Sequence, residues 1–276
     1  MIDAHCHLTY PGLKERVENV LAEARRALKA VVTSGLPYDA EKSPGFPGAK
    51  EALALSERYR GFVFVTLGLH PTQVPEMSDE EVAEYINFIE ENRDRIVGIG
   101  EIGLDKYWLS SEDDLKRARE VFLSLLEVAE KLGKPVVIHS RKAEEEAVEI
   151  LSSYSLDGRV LLHSFTGNMT TAKKALDMGY FFSINYKVTN TKSMRKIAKT
   201  FPLESILTET DSPFLSHEAG VNTPLQVRLI LEEISRLRGL GFEEVDAITT
   251  RNAVSFFGLE KQTSERTSDK SLPRDT

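Results

Sequence analysis

Two histidines near the start of the chain, His5 and His7, are separated by one residue in the sequence I-D-A-H-C-H. Alternate side chains of a β-strand point to the same face, so a strand here would direct both imidazoles to one side, where they can share a metal ion. Four further residues of metal-binding type stand where short apolar runs end: Glu101, His139, His163 and Asp211. The sequence therefore contains six candidate metal ligands, spread between positions 5 and 211.

Eight short apolar runs alternate with amphipathic segments of helical periodicity, and this alternation predicts how the six residues are positioned. Strict alternation of strand and helix implies right-handed crossovers and a parallel sheet buried on both faces. Eight such units favour a single α/β domain over residues 1–259, a closed (β/α)8 TIM barrel with its site at the carboxyl ends of the strands. Strands are predicted at residues 1–5, 29–33, 62–69, 96–100, 136–139, 160–163, 180–184 and 205–208, and helices at 13–28, 78–93, 115–132, 143–153, 169–178, 190–200, 224–238 and 242–257.

The composition narrows the class of protein. A chain of 276 residues that is 41% hydrophobic can bury a large core, and its formal charge of −8 argues against non-specific wrapping of nucleic acid. One cysteine rules out an internal disulfide framework, and no apolar stretch reaches the roughly 20 residues of a membrane-spanning helix. The chain opens without a signal peptide, so we expect a cytoplasmic protein with no membrane association and no obligate protein partner. The polar residues 260–276 are expected to form a mobile tail.

Six ligands are more than one zinc-like ion takes, because such a site uses four. The carboxyl ends of barrel strands face one cavity, which would collect all six side chains. Four imidazoles and two carboxylates suit two divalent ions that share a carboxylate and a water or hydroxide, and Glu101 is the candidate bridge. The donor set would accept zinc, manganese, nickel or iron, and magnesium less readily, so it does not identify the metal.

Several motifs resemble those of the TatD-like metal-dependent deoxyribonucleases, a family within the amidohydrolase-type metal barrels. The resemblance runs from Ile2 to about Leu259 and includes D-A-H-C-H, G-L-H-P at residues 68–71, G-E-I-G-L-D at 100–105, P-V-V-I-H-S-R, H-S-F-T-G, E-T-D-S-P and N-A-V-S-F-F-G. It implies hydrolysis that depends on divalent metal, most often of DNA. It also implies one ion held by His5, His7, Glu101 and Asp211, and another held by Glu101, His139 and His163.

The chain departs from the family pattern at two places. Thr9 stands where Asp or Asn usually follows the first motif, and Val221-Asn222-Thr223-Pro224 replaces the common R-N-E-P. The second change removes a charge pair near the mouth of the predicted barrel. The second change leaves the six ligands in place, so it bears on substrate specificity and not on the metals.

Three further residues are candidates for contact with substrate. His70 follows the third predicted strand in G-L-H-P, where the resemblance implies a substrate contact and a simple strand cap is the alternative. Arg141 shares the strand face of His139, where its planar guanidinium would hold phosphate oxygens, with an ordinary surface residue as the alternative. Trp108, with Tyr107 beside it, would stack on a base or simply pack at the barrel mouth.

The sequence also predicts the strand face or loop position of several other polar residues near the ligands. Asp3 and Glu209 share the parity of the ligands on their strands, so they would orient ligand imidazoles as hydrogen-bond acceptors or pair with other core groups. Cys6 has the opposite parity from the flanking histidines, which predicts a small buried side chain that faces the helices. Asp105 is expected in the loop after the fourth strand, and His217 is expected to be a solvated surface residue.

The predicted chemistry is hydrolysis by a hydroxide between two ions, with Glu101 as the bridging ligand and Asp211 as general base. The sequence contains no G-x-S-x-G elbow, P-loop or G-x-G-x-x-G motif that would offer a rival catalytic set. The leading hypothesis is a two-metal deoxyribonuclease that trims DNA ends. The alternatives are an amide, ester or lactone hydrolase that uses the same site, since the same nucleophile attacks carbonyl carbon, and a non-catalytic metal-binding protein.

Overall fold

The computed structural model describes residues 1–38, 43–217 and 220–260 of the chain. Eight β-strands run through these residues: β1, Ile2–Cys6; β2, Ala30–Gly35; β3, Val63–Leu67; β4, Gly98–Asp105; β5, Val136–Arg141; β6, Val160–Leu162; β7, Phe181–Ile184; and β8, Ile206–Thr208. They form one parallel sheet in chain order. Just beyond β8, the amide of Asp211 donates to the carbonyl of His5 at 3.0 Å and the amide of His7 donates to the carbonyl of Ser212 at 2.7 Å. These bonds bring the last strand against the first, and the sheet is the nearly closed barrel that the sequence predicts.

Helices alternate with the strands. They are α1, Val17–Ala27; α2, Pro47–Arg58; α3, Asp79–Glu91; α4, Glu112–Leu132; α5, Glu144–Leu151; α6, Met169–Asp177; α7, Lys192–Thr200; α8, Val227–Arg238; and α9, Phe242–Phe257. Each helical segment predicted from periodicity coincides with one of these helices, although α4 begins three residues before its predicted segment, and this confirms the (β/α)8 architecture. Of the predicted tail, only Glu260 belongs to the described residues.

The sequence does not predict α2. Its first turn contains Pro47 and Gly48, and both residue types usually mark turns. Proline fits at the first helical position because its missing amide hydrogen would have no partner there. A Cβ on Gly48 would lie 2.6 Å from the carbonyl oxygen of Leu36, so close packing against the chain after β2 requires glycine. The helical position of Pro47 and the tertiary packing of Gly48 therefore explain why α2 begins with two residues that usually break helices.

The apolar interior of the barrel lies at the amino-terminal ends of the strands. One side chain from most strands meets the others there, in a cluster that includes Ala4, Val32, Phe64, Val97, Val137, Leu161 and Leu207. Helix α9 belongs to the same cluster through Ala253, Phe256 and Phe257, so it closes this end. The metal-ligand candidates consequently lie at the opposite end of the barrel. In the part of the chain that the structure describes, no helix is both long and apolar enough to span a bilayer.

Asn252 of α9 joins that helix to the start of β8. Its side-chain amide donates to the carbonyl oxygens of Leu203 and Ile206, at 2.8 Å each. Because Asn252→Ala would leave both buried carbonyls without this donor, we expect the free energy of unfolding to fall by about 1–3 kcal/mol. Urea unfolding followed by circular dichroism measures the change. Arg251→Ala, on the exposed side of the same helix, should alter stability by less than about 0.5 kcal/mol. Equal stability of the two variants would contradict the role of Asn252.

Candidate metal centre

Glu101 enters the barrel because the backbone of β4 departs from a regular strand. The register of its pairing with β5 shifts between Ile99 and Ile102, and the Glu101 side chain lies inside the barrel, almost fully buried. Two glycines permit this arrangement. A Cβ on Gly68 would lie 2.5 Å from the carbonyl carbon of Gly100, and one on Gly100 would lie 2.7 Å from a side chain of β5. Glycine at both positions therefore lets three strands approach closely enough to place the carboxylate at the centre of the barrel mouth.

Four ligand atoms surround one point, which we call the first metal position. The Nε2 atoms of His5 and His7 are 3.2 Å apart, and Oε2 of Glu101 is 3.5 Å from each. Oδ1 of Asp211 is 3.7 Å from Nε2 of His5 and 3.4 Å from Nε2 of His7. Ligand atoms about 2.05 Å from a tetrahedral zinc ion lie about 3.3 Å from one another. Five of the six edges of such a tetrahedron are thus present in the arrangement of these side chains.

A second group of imidazoles faces the other oxygen of Glu101, and we call this the second metal position. Oε1 of Glu101 is 2.7 Å from Nδ1 of His139 and 3.6 Å from Nε2 of His163. The remaining nitrogen of each ring donates to a carboxylate, from His139 to Asp105 at 2.9 Å and from His163 to Glu209 at 2.8 Å. Metal-binding histidines commonly use their second nitrogen in this way, which fixes the ring and its tautomer. The donor set therefore fits a second ion beside the first.

The imidazoles keep the two central carboxylates ionised. Burial alone would raise the pKa of Glu101, but the surrounding rings, those of His70, His139 and His163 among them, hold that pKa well below its usual range. Burial would likewise raise the pKa of Asp211, yet the rings of the first and second positions lower it to about 2. Both carboxylates are consequently negative at neutral pH and can bind cations.

The structure places Glu209 and Asp3 differently, although the sequence suggests the same role for both. Glu209 accepts a hydrogen bond from the ring of His163. Asp3 instead accepts hydrogen bonds from the amide of Thr210 at 2.8 Å and from its hydroxyl at 2.6 Å, and orients the start of the loop after β8. The reason is a register shift in β1 between Asp3 and Cys6. A bulge of this kind breaks the alternation on which the parity argument rests, so Asp3 does not share the face of the ligands.

Asp105 has a role that the sequence analysis missed. It is the buried last residue of β4 and not a loop residue. One carboxylate oxygen accepts from His139, and the other accepts from the backbone amides of Tyr107 and Trp108 at 2.8 Å each. A signal was available, because Asp105 follows Glu101 by four residues and so shares its parity on the strand. Asp105 thereby links the second metal position to the aromatic residues above it.

Cys6 and His217 lie where the sequence analysis puts them. The Cys6 side chain packs with Val17 and Leu21 of α1, on the helix side of the sheet. Burial raises the pKa of its thiol well above the usual value, so the group stays protonated. His217 is exposed in the loop after β8, where its ring contacts that of Tyr186.

A cavity of about 570 Å³ opens above the ligands, and His70 lines it. Nδ1 of His70 accepts a hydrogen bond from the amide of Thr72 at 3.3 Å, so in the neutral ring the proton is on Nε2. Nε2 lies 3.6 Å from Oε1 of Glu101. Burial, reinforced by the neighbouring ring of His139, lowers the pKa of His70 to about 3, so the ring is neutral. His70 thus presents a neutral N–H donor toward the second metal position.

Cationic and aromatic side chains line the mouth of this cavity. The guanidinium carbon of Arg141 is 3.8 Å from the ring centroid of Tyr107 and 5.6 Å from that of Trp108. Lys187, after β7, also lines the cavity, and its ammonium group donates to the hydroxyl of Ser164 at 3.1 Å. Arg141 and Trp108 are candidates from the sequence, whereas Lys187 is not among those candidates. The available signal for Lys187 was its place just past a predicted strand.

The fold and this site define a barrel hydrolase that depends on metal, and comparison with known proteins identifies its family. The family model described as TatD related DNase matches residues 2–258. The chain is 35% identical over 268 residues to deoxyribonuclease TATDN3 of Homo sapiens, covering 93% of this chain and 94% of that protein. It is 33% identical over 258 residues to the uncharacterized metal-dependent hydrolase MJ1582 of Methanocaldococcus jannaschii, covering 93% and 96%. The crystal structure of the TatD homologue YJJV from Escherichia coli has a TM-score of 0.82 at 26% identity, covering 94% and 98%.

The chain belongs to the TatD related DNase family, which confirms the resemblance seen in its motifs. It is a metal-dependent hydrolase.

The approach of β3 to β4 can be tested with Gly68→Ala. The added Cβ would lie 2.5 Å from the carbonyl carbon of Gly100, so the backbone that carries Glu101 must move. We expect a loss of about 1–3 kcal/mol in the free energy of unfolding, together with weaker metal binding. Urea unfolding and metal analysis measure the two effects. Gly241→Ala is the matched control, because a Cβ there has no atom within 4 Å in the described residues. A Gly68→Ala variant as stable as this control would contradict the close approach.

Proposed function

We propose that this protein is a two-metal deoxyribonuclease that hydrolyses phosphodiester bonds at unpaired DNA ends. The observation that carries the proposal is the position of Glu101. One of its carboxylate oxygens is 3.5 Å from Nε2 of His5 and the other is 2.7 Å from Nδ1 of His139, so one side chain reaches both ligand groups. The cavity above has room for a ligand the size of a nucleotide, but not for a duplex. The name of the human relative, a deoxyribonuclease, supports the same chemistry.

In this proposal each ion has its own ligands and shares Glu101. His5, His7, Glu101 and Asp211 would hold the first ion, and Glu101, His139 and His163 would hold the second. Imidazole and carboxylate donors suit zinc, manganese, nickel or iron better than magnesium. When bound, the ions lower the pKa of water and neutralise charge that develops on the phosphate.

The protein's own side chains supply the proton acceptor, the contacts with the phosphate and the surface for base stacking. Asp211 remains ionised at neutral pH, and because its Oδ1 faces the first metal position, its other oxygen, Oδ2, can accept the proton of the attacking water. His70 donates from Nε2 to a non-bridging phosphate oxygen, and Arg141 offers a planar fork to the same group. Trp108 supplies a ring on which a base can stack at the mouth. Asp105 and Glu209 act through the rings that they orient.

The charges in the cavity favour a phosphodiester over an acyl substrate. Arg141 and Lys187 both line it, in a chain whose formal charge is −8. A phosphodiester carries a negative charge that these two cations stabilise, whereas an amide, ester or lactone carries none. The same cavity would therefore bind an acyl substrate without using its cationic groups.

A substrate comparison tests the proposed function. Metal-loaded protein should release nucleotides from end-labelled single-stranded DNA faster than from a blunt duplex, and should turn over p-nitrophenyl acetate and simple lactones poorly. Acyl turnover without phosphodiester turnover would assign the protein to the acyl hydrolases. Full metal content with no turnover of either class would indicate a metal-binding protein.

Glu101→Gln tests the shared ligand. Removing its negative charge weakens both positions at once, so we expect the metal content to fall from about two ions per chain to below one. His139→Ala removes a ligand from the second position and should cost about 10- to 100-fold in affinity there while changing the first position less. Elemental analysis after dialysis in a metal buffer measures both variants. Two tightly bound ions in Glu101→Gln would reject the bridging role.

Arg141→Ala tests the phosphate contact. Loss of a group that stabilises developing charge should lower kcat/KM on single-stranded DNA by about 10²–10³-fold, with unchanged metal content. Arg141→Lys should recover only part of the rate, because an ammonium group cannot form the planar fork. Arg251→Ala, an exposed arginine on α9, is the control and should match the wild type. Normal nuclease activity in Arg141→Ala would disprove the contact.

A further inference from the structure

We propose that Tyr10 and Phe214 form a second base-binding surface, so that a single DNA strand crosses the barrel mouth with one base on each side of the scissile phosphodiester. The inference rests on the proposed nuclease function and specifies its substrate. We call these two residues the Tyr10–Phe214 platform. The other surface, on Tyr107 and Trp108, is the Trp108 platform.

The Tyr10–Phe214 platform is an exposed pair of rings held from below. The two ring centroids are 4.9 Å apart with an interplanar angle of 60°, and the Phe214 ring also contacts the ring of His7 at 5.7 Å. Despite these contacts, Tyr10 is 43% and Phe214 is 42% exposed. Large aromatic side chains usually bury most of their surface, so two that are fixed by neighbours and still open to solvent are suited to stacking on a ligand.

The backbone fixes this platform as well. Phe214 donates its amide to the carbonyl of Asp211 at 2.9 Å, and Tyr10 donates its amide to the carbonyl of His7 at 3.1 Å. The buried amide of Asn222 donates to the carbonyl of Phe214 at 2.7 Å. Each ring therefore stands three residues beyond a ligand of the first metal position, tied to the strand end that carries that ligand. Little conformational entropy remains to be lost when a base binds.

The two platforms lie on opposite sides of the metal centre. Tyr10 and Phe214 follow β1 and β8, whereas Tyr107 and Trp108 follow β4. In a ring of eight strands in chain order, β8 and β1 adjoin each other and face β4 and β5 across the barrel. Tyr10, Phe214 and Trp108 line one cavity, with Glu101 among the residues that line it. A phosphodiester near Glu101 thus has an aromatic surface on either side.

The chemistry of the cavity favours nucleobases as the occupants of both surfaces. Its cations, Arg141 and Lys187, suit the phosphates of a strand, while exposed rings suit unpaired bases of any sequence. Paired bases are stacked within their duplex and cannot reach both platforms. The platforms therefore also account for a preference for unpaired ends.

Two substrates, the methyl esters of thymidine 3′-phosphate and thymidine 5′-phosphate, distinguish the contributions of the two platforms, because each has a base on only one side of its phosphodiester. The dinucleotide TpT has a base on both sides. With metal-loaded protein, Phe214→Ala should lower kcat/KM on TpT and on one ester by about 5- to 150-fold, and change the other ester less than about twofold. Trp108→Ala should show the opposite preference between the two esters. Tyr10→Phe, which keeps the ring, should retain activity that Tyr10→Ala loses, and Leu229→Ala on α8 is the exposed apolar control.

Binding gives a second measurement. Trp108 is the only tryptophan of the chain, so its fluorescence reports the binding of an uncleavable analogue of TpT in which a methylene group replaces the bridging oxygen and the phosphonate keeps its negative charge. Phe214→Ala should raise the Kd of this analogue by about 5- to 150-fold.

Three outcomes would overturn the inference. Equal losses on both esters in Phe214→Ala would show that the ring supports His7 and not a base. A TpT effect of less than about twofold in Phe214→Ala and Tyr10→Ala would show that no base binds there. Dimerisation lost in Phe214→Ala, measured by sedimentation, would make a second copy of the chain the occupant. Failure of the wild type to cleave any of the three substrates, or longer single-stranded DNA, would instead reject the proposed function itself.

Discussion

The central constraint on this structure is the burial of an ionised carboxylate, that of Glu101, at the mouth of a barrel. A buried charge is tolerated only when it is paired or bound to metal, so the groups around it must be cations or donors. Imidazoles from β1, β5 and the ends of β3 and β6 supply them, and each reaches the carboxylate from a different direction. The closed sheet is what makes this possible, because it directs the carboxyl ends of all its strands toward one axis. Removing the barrel would leave six ligands with no common point.

The same constraint explains the irregular backbone around the site. Regular strands would alternate side chains strictly, yet β1 shifts register between Asp3 and Cys6, around His5, and β4 shifts register between Ile99 and Ile102, around Glu101. Asp211 itself has a φ of 56°, in the left-handed region that few residues other than glycine adopt. Such conformations persist where surrounding contacts hold them, and here a backbone bond from Asp211 to His5 does so. Backbone conformations that cost free energy are therefore concentrated where the ligands must converge.

These irregularities also set the limit of what the sequence predicts. The barrel, most helices and the convergence of six ligands follow from periodicity and from the position of each ligand at the end of an apolar run. Asp3 and Asp105 are placed wrongly, because a bulge or a longer strand moves a side chain to another face or element without changing the hydrophobic pattern. Helix α2 is missed because its glycine is selected by packing, and Lys187 because the loops that form the cavity meet only in the folded protein.

Because the chain has a negative net charge, the binding of DNA at the mouth of the barrel must depend on more than electrostatic attraction. A protein of formal charge −8 repels DNA at long range, and in the described part of the chain the Lys and Arg residues that line the cavity are Arg141 and Lys187. Each phosphate neutralised releases about 0.7 counterion from a single strand, so two contacts give a weak dependence on salt and little affinity. Binding must then come from the metal positions and from stacking on exposed rings, both of which act at short range. Short-range binding therefore favours a substrate whose phosphodiester and bases enter the cavity together. A frayed or single-stranded end can enter in this way, whereas the interior of a duplex cannot.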